Sequence, residues 1–230
     1  MASAPAAPTA PTASTARDRH PERWLAACAL VYGLTHHLGF GLAGLGTIGD
    51  TRWADWIDIL VPYAVLLTAA AALHTGRADR RSWAVYLVGA ITYVEGHGIH
   101  LAANSVGNDT PGIAVVHLWD EVVGHYLWYA GTAVVVAALA RTLAARPAPP
   151  AHLALVPALA VALTWTTNSL EGGTAVMGLI VAAVFTAWGL RTRHHLGRVL
   201  IPAFAPALIA LAAYGIWRRG FPQPTDLGWL

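Results

Sequence analysis

Apolar residues run along this chain in seven long stretches, near 24 to 48, 56 to 75, 83 to 106, 112 to 141, 152 to 170, 173 to 190 and 198 to 217. Each is close to the roughly 20 residues a helix needs to cross about 30 Å of hydrocarbon. The pattern predicts an all-α, polytopic integral membrane protein of about seven transmembrane helices. The sixth stretch is short, and the connection from Asn168 to Gly173 reads either as a turn or as a re-entrant break. Residues 1–22, rich in Ala, Pro, Thr and Ser, cannot bury enough apolar surface to fold and read as a disordered tail. The seven-helix domain then spans 23–218. Residues 219–230 are too short to cross again and, with Pro222, Pro224 and Trp229, read as an extracytoplasmic segment lying along the interface over the mouth of the site.

Arginine placement gives the sidedness, because Arg and Lys concentrate in cytoplasmic loops. Arg17, Arg19 and Arg23 precede the first stretch; Arg77, Arg80 and Arg81 follow the second; Arg141 and Arg146 follow the fourth; Arg191, Arg193 and Arg198 follow the sixth. These fall at every second connection, so the N-terminus is expected to be cytoplasmic and the protein a multi-pass component of the cell membrane. Arg218 and Arg219, after the last stretch, are the one contrary signal, and anionic lipid or Asp226 could pair with them.

Two neighbouring stretches break the apolar pattern. The first carries Glu95, His97 and His100, and the second carries His117, Asp120, Glu121 and His125. Each ionisable group at bilayer depth costs several kcal/mol unless paired or coordinated, so a cluster this dense points to a functional site. At 1.5 Å per residue, these groups lie roughly 8 to 20 Å below the expected outer helix ends, and His36 or His37 of the first stretch reaches nearly the same level. On an ideal helix, residues four apart differ by about 40°, which puts His117, Glu121 and His125 on one stripe with Asp120 beside it. His97 and His100 share a stripe of their own. Glu95 points away from His97 and reads as a supporting group. Of the remaining histidines, His194 and His195 read as solvated in an inner loop, and His74 and His152 as interfacial.

Composition narrows the chemistry. Apolar residues make up 56% of the chain and charged residues 11%, and the net charge of +2 is too small and too scattered for a nucleic-acid surface. The single cysteine, Cys28, excludes an internal disulfide and a thiolate cluster, so any metal is held by imidazole and carboxylate. That donor set suits a divalent transition metal, zinc, iron or copper, as one or two ions. The expected ligands are His97, His100, His117 and His125 with His36 or His37. Glu121 reads as ligand or general base, and Asp120 as a bridging or catalytic carboxylate. Gly96, Gly98, Gly107, Gly124 and Gly131 are expected to let helices approach closely, and Trp53, Trp56, Trp119, Trp165 and Trp229 to form an interfacial belt, with Trp119 and Trp128 flanking the histidine stripe.

A seven-span chain with buried histidines resembles the alkaline ceramidase and adiponectin-receptor type hydrolases. Their hallmark is an HxxxH pair on the last helix, and the stretch 198 to 217 has no histidine, so no residue is carried over. HGIH at 97 to 100 partly resembles a histidine box of membrane desaturases, whose boxes face the cytoplasm. The leading expectation is an integral membrane metalloenzyme, a hydrolase or oxidoreductase, acting on a lipophilic small molecule at a site open to the outer face. The alternatives are a transition-metal or proton transport protein and a bis-histidine haem electron carrier. A haem carrier would leave the carboxylates unexplained.

Overall fold

The computed structural model describes residues 20–37, 41–192 and 195–229. The expected tail of residues 1–22 falls mostly outside these, as do Arg17, Arg19, Arg193 and His194. Helix α1 is Pro21–Thr35, with proline in its first turn, where the missing N–H costs nothing. A two-residue hairpin, β1 (Thr47–Ile48) and β2 (Thr51–Arg52), leads into α2 (Trp53–Asp58) and α3 (Val61–Thr75). The first apolar stretch is therefore not one helix to residue 48. The helix ends at Thr35, and Gly46 and Gly49, both at positive φ, lie in and beside the hairpin further on.

Helix α4 (Arg80–Asp109) is capped by Asp79, whose carboxylate accepts from the Ser82 backbone N–H at 2.7 Å. Next come α5 (Ala114–His117), a π-helical segment (Leu118–Gly124) and α6 (His125–Leu143), which together form one continuous apolar rod. Helix α7 (Ala151–Glu171) is joined to α8 (Ala175–Arg191) by a turn at Gly172 and Gly173, the latter at φ +61°. Helix α9 (Leu200–Arg218) follows a 3-10 turn at Leu196–Val199. Pro157 and Pro206 sit inside α7 and α9 without ending them.

Among the described residues, four helices are long and apolar enough to cross a membrane: Trp53–Thr75, Ala114–Leu143, Leu153–Glu171 and Leu196–Arg218. Large apolar side chains such as Leu67, Ile91, Leu163 and Ile209 point outward, each more than 60% exposed, as a lipid-facing surface requires. The chain is thus an all-α protein of membrane type. Helices α1 and α8 are shorter, at 15 and 17 residues. Helix α4 has the length, at 30 residues, but carries arginine, histidine and acidic side chains along it.

The tightest packing joins α4 to α6, and glycines on both helices make it possible. A Cβ on Gly96 would fall on the Trp128 backbone N, one on Gly131 on the Tyr93 backbone N, and one on Gly124 within 2.9 Å of His100 N, Cα and Cβ. Gly98, expected to act the same way, faces open space, and Gly107 meets only Val116 at 3.3 Å. Trp165 departs from its expected interfacial place: it is 2% exposed, packed against Phe204 and donating from Nε1 to the Gly178 carbonyl at 3.1 Å.

Candidate metal centre

Because glycines bring the backbones of α4 and α6 together, the polar side chains of both helices meet over one indole. Trp128, 7% exposed, has His97, His100 and His125 around it, at ring-centroid separations of 4.7, 5.3 and 5.8 Å. The imidazoles of His100 and His125 lie 4.3 Å apart.

Each histidine is matched with a carboxylate. His100 Nδ1 is 2.6 Å from Asp120 Oδ1, His125 Nδ1 is 3.4 Å from Glu121 Oε2, and His97 Nε2 is 3.5 Å from Asp58 Oδ1. The pairs differ in kind. His125 Nδ1 donates to the Glu121 backbone carbonyl at 3.3 Å, which fixes the proton on Nδ1 and leaves Nε2 as a free lone pair. His100 Nδ1 and Asp120 Oδ1 are close but not aligned for a hydrogen bond, and both are buried with no other partner among the described residues. His97 Nε2 likewise has only its Asp58 contact, and Trp128 Nε1 has no partner among the described residues. Buried polar atoms left unpaired are rare in folded proteins and call for an ion, water or chemistry to explain them.

One ligand atom each from His100, Asp120 and His125 lies within 4.8 Å of the other two. Two imidazoles and one carboxylate match the donor chemistry of zinc and non-haem iron sites, with coordination positions left over. Metal–ligand bonds of about 2.0–2.2 Å set neighbouring ligand atoms roughly 3–3.5 Å apart, so His100 Nδ1 and Asp120 Oδ1, now 2.6 Å apart, would separate slightly around an ion while any longer separation in the group would close. This His/Asp/His group could hold a metal ion.

The π-helical segment determines which residues enter this group. It closes hydrogen bonds from i to i+5 rather than i+4, which changes the angular step along Leu118–Gly124. The stripe expected for a uniform α-helix is therefore broken: His117 is exposed, while Asp120 and His125 turn toward α4. Glu121 sits at the rim, its side chain 28% exposed, where Gln223 Nε2 donates to its Oε2 at 2.9 Å.

His36 and His37, just past the end of α1, are nearby and hydrogen-bonded elsewhere. His36 donates from Nδ1 to the Tyr32 carbonyl at 2.8 Å and accepts at Nε2 from the Tyr93 hydroxyl at 3.1 Å, with its ring 5.2 Å from Trp128. Thr164 Oγ1 gives its proton to the Gly33 carbonyl at 3.2 Å, so His37 Nε2 donates to it at 3.0 Å. Glu95 is exposed, consistent with its pointing away from His97. Asp55, another acid near the site, is occupied by Arg52 at 2.6 Å. His74 and His195 are both exposed, as expected of solvated or interfacial residues.

Two contributors are harder to find from sequence. Asp58 reaches His97 from α2, and its place near the start of the second apolar stretch is the only signal. Gln223 comes from the C-terminal segment, where it also donates to the Glu171 carbonyl at 2.5 Å while Thr225 donates to Glu171 Oε2 at 3.1 Å. This segment is held over the end of the bundle that carries the histidines, and Tyr214 adds a 2.8 Å bond to the Pro222 carbonyl.

Fold and site together define a helical membrane-type protein with a buried group of metal-ligand type. The chain matches no protein-family model, no curated protein and no solved structure.

Proposed function

We propose that this protein is an integral membrane metalloenzyme whose centre is His100, Asp120 and His125, acting on a lipophilic small molecule. The observation that carries the reading is the convergence of His100, Asp120 and His125, one ligand atom of each lying within 4.8 Å of the other two. A zinc, iron or copper ion there would supply Lewis-acid or redox chemistry at positions left open by three protein ligands. Glu121, at the rim and oriented by Gln223, transfers protons as the general base. Asp58 orients His97 alongside, and the pair is the place for a second ion if one binds. Two histidines and one carboxylate serve hydrolysis and oxidation equally, and the identity of the metal selects between them.

The same reading takes α1, α4 and α8 across the bilayer with the four longer apolar segments. This gives seven crossings, a cytoplasmic N-terminus and a site opening toward the extracytoplasmic face of the cell membrane. The His100 and His125 rings, 4.3 Å apart, leave no room for a macrocycle between them, so this pair is not a bis-histidine haem site.

Elemental analysis of detergent-purified protein tests the reading. About one equivalent of a transition metal is expected in the wild type and far less in a His100→Ala/His125→Ala variant that elutes as a folded species. Full stoichiometry in that variant would refute the assignment. Net accumulation of metal inside proteoliposomes would replace the enzyme with a transporter.

A further inference from the structure

A second feature, separate from the histidines, lies deeper in the bundle. Helices α1, α6, α7 and α9 line a partly open cavity of about 130 Å³ whose walls are almost wholly aliphatic and aromatic. Along α1 its lining runs from Glu22 to Tyr32, along α6 from Leu143 to Thr132, and along α7 from Leu153 to Trp165. At 1.5 Å per residue, each of these spans roughly 15–18 Å. The space therefore runs lengthwise along the helix axes. Its volume is close to that of an apolar cavity of about 150 Å³ that holds one benzene, but its lining is drawn out along the helices.

The two ends differ. Tyr32 and Trp165, 4% and 2% exposed, close the slot at the end nearest the metal centre. At the other end Glu22, Leu25, Pro149 and Leu153 are only partly buried. The closed end is one aromatic layer from the histidines: Tyr32 is 4.4 Å from His36, and Trp165 reaches His125 through Tyr129 by steps of 6.3 and 5.5 Å.

We propose that this slot binds one unbranched acyl chain, inserted from the Glu22–Pro149 end with its methyl terminus against Tyr32 and Trp165. An apolar slot offers water almost no hydrogen-bond partners. A linear hydrocarbon chain matches both its apolar lining and its length of roughly 15–18 Å. The inference does not rest on the metal reading: the aromatic layer of Tyr32 and Trp165 separates the slot from the histidines.

Photocrosslinking of the full-length protein in lipid nanodiscs tests it. Two probes carry a diazirine at the methyl end of the chain: a free fatty acid and a phosphatidylcholine. A third carries the diazirine at mid-chain. The terminal probes should label Tyr32, Trp165 or Phe204, and the mid-chain probe Cys28, Leu139 or Ala158; which terminal probe labels identifies whether the chain arrives free or as part of a bilayer lipid. Filling the slot with Ala158→Phe, or more mildly with Ala29→Leu, should reduce this labelling about tenfold, a loss of binding equivalent to about 1.4 kcal/mol. Each variant is first checked for wild-type elution and thermal transition. The His100→Ala/His125→Ala variant should label as the wild type does, so failure of the metal assignment and failure of the slot are read separately. Labelling confined to lipid-facing residues such as Leu67, Ile91 and Ile209, or undiminished in the filled variants, would overturn the proposal.

Discussion

Gly124 lies directly against the backbone of His100, so close that a Cβ there would sit 2.8 Å from the His100 nitrogen and 2.9 Å from its Cα. The neighbouring residue, His125, supplies the other imidazole of the candidate centre. The distance between α4 and α6 and the distance between the two imidazoles are therefore one geometric quantity, set by an absent side chain.

Gly124→Ala should accordingly separate the two helices, costing about 1–3 kcal/mol as overpacking usually does, and should lower metal content as well. Gly98→Ala is the control. Gly98 faces open space on the same helix as His100, and alanine there should leave metal content unchanged and stabilise α4 by up to about 1 kcal/mol. Thermal unfolding followed by helical circular dichroism, with metal analysis of the same samples, checks both.

His117 and His125 have the same residue type and lie on the same rod, and they should behave oppositely. His117→Ala should retain the metal of the wild type because His117 is exposed beyond the π-helical segment, whereas His125→Ala should lose most of it. Equal losses from the two variants would mean that the rod carries a uniform α-helical stripe in the working protein.

Gln223 bridges Glu121 and the Glu171 carbonyl, at 2.9 and 2.5 Å. Hydrogen bonds to a charged group contribute about 1.5–3 kcal/mol, so Gln223→Ala should release the segment around it. The expected readout is faster amide hydrogen exchange at Leu227, Gly228 and Trp229, with helices α4 and α6 unaffected. Exchange no faster than in the wild type would show that Tyr214 and Thr225 hold the segment without it.

Asp79 gives a dependence on pH away from the bilayer core. The Ser82 backbone N–H, then the Ser82 hydroxyl and Arg141, hold its carboxyl down from the ordinary 3.8 to about 2. A group whose affinity for protons falls on folding stabilises the fold when ionised. That contribution is complete above the ordinary value and disappears as pH falls through the folded one. Asp79→Ala should thus melt below the wild type at neutral pH, and the gap should close between about pH 4 and pH 2. A gap that stays constant to pH 2 would remove Asp79 from the cap of α4.

Much of this could be seen in the sequence. The apolar stretches from 152 onward match α7, α8 and α9 to within a few residues, because each is bounded by Pro, Gly or Arg and carries little polar interruption. Helix rise places His100, Asp120 and His125 at similar levels on paper, and in the fold one ligand atom of each lies within 4.8 Å of the other two. The rest depends on contacts between distant parts of the chain. His36 and His37 lie at the expected depth, but Tyr93 and Thr164 take up their nitrogens, and neither is a sequence neighbour. His97 and His100 share a helix stripe and still part company, one toward Asp58 and the other toward Asp120. Gln223 reaches Glu121 across 102 residues. The end of α1 at Thr35 was hidden for another reason: the stretch to residue 48 stays apolar through its glycines, and hydropathy does not register their conformational freedom.

The π-helical segment also makes the site sensitive to chain length. A turn closed from i to i+5 holds one residue more than a turn closed from i to i+4, so α5 and α6 are out of phase by a single residue. Deleting Val122 would let the segment relax into continuous α-helix. Every side chain between the deletion and Ala114 would then rotate by about 100° relative to α6, carrying Asp120 and Glu121 away from His100 and His125. All the ligands would still be present, with their spacing changed by one. The candidate centre is thus encoded as a count of residues as much as by their identity, and a frame-preserving loss of one codon would disperse the group as surely as removing a histidine.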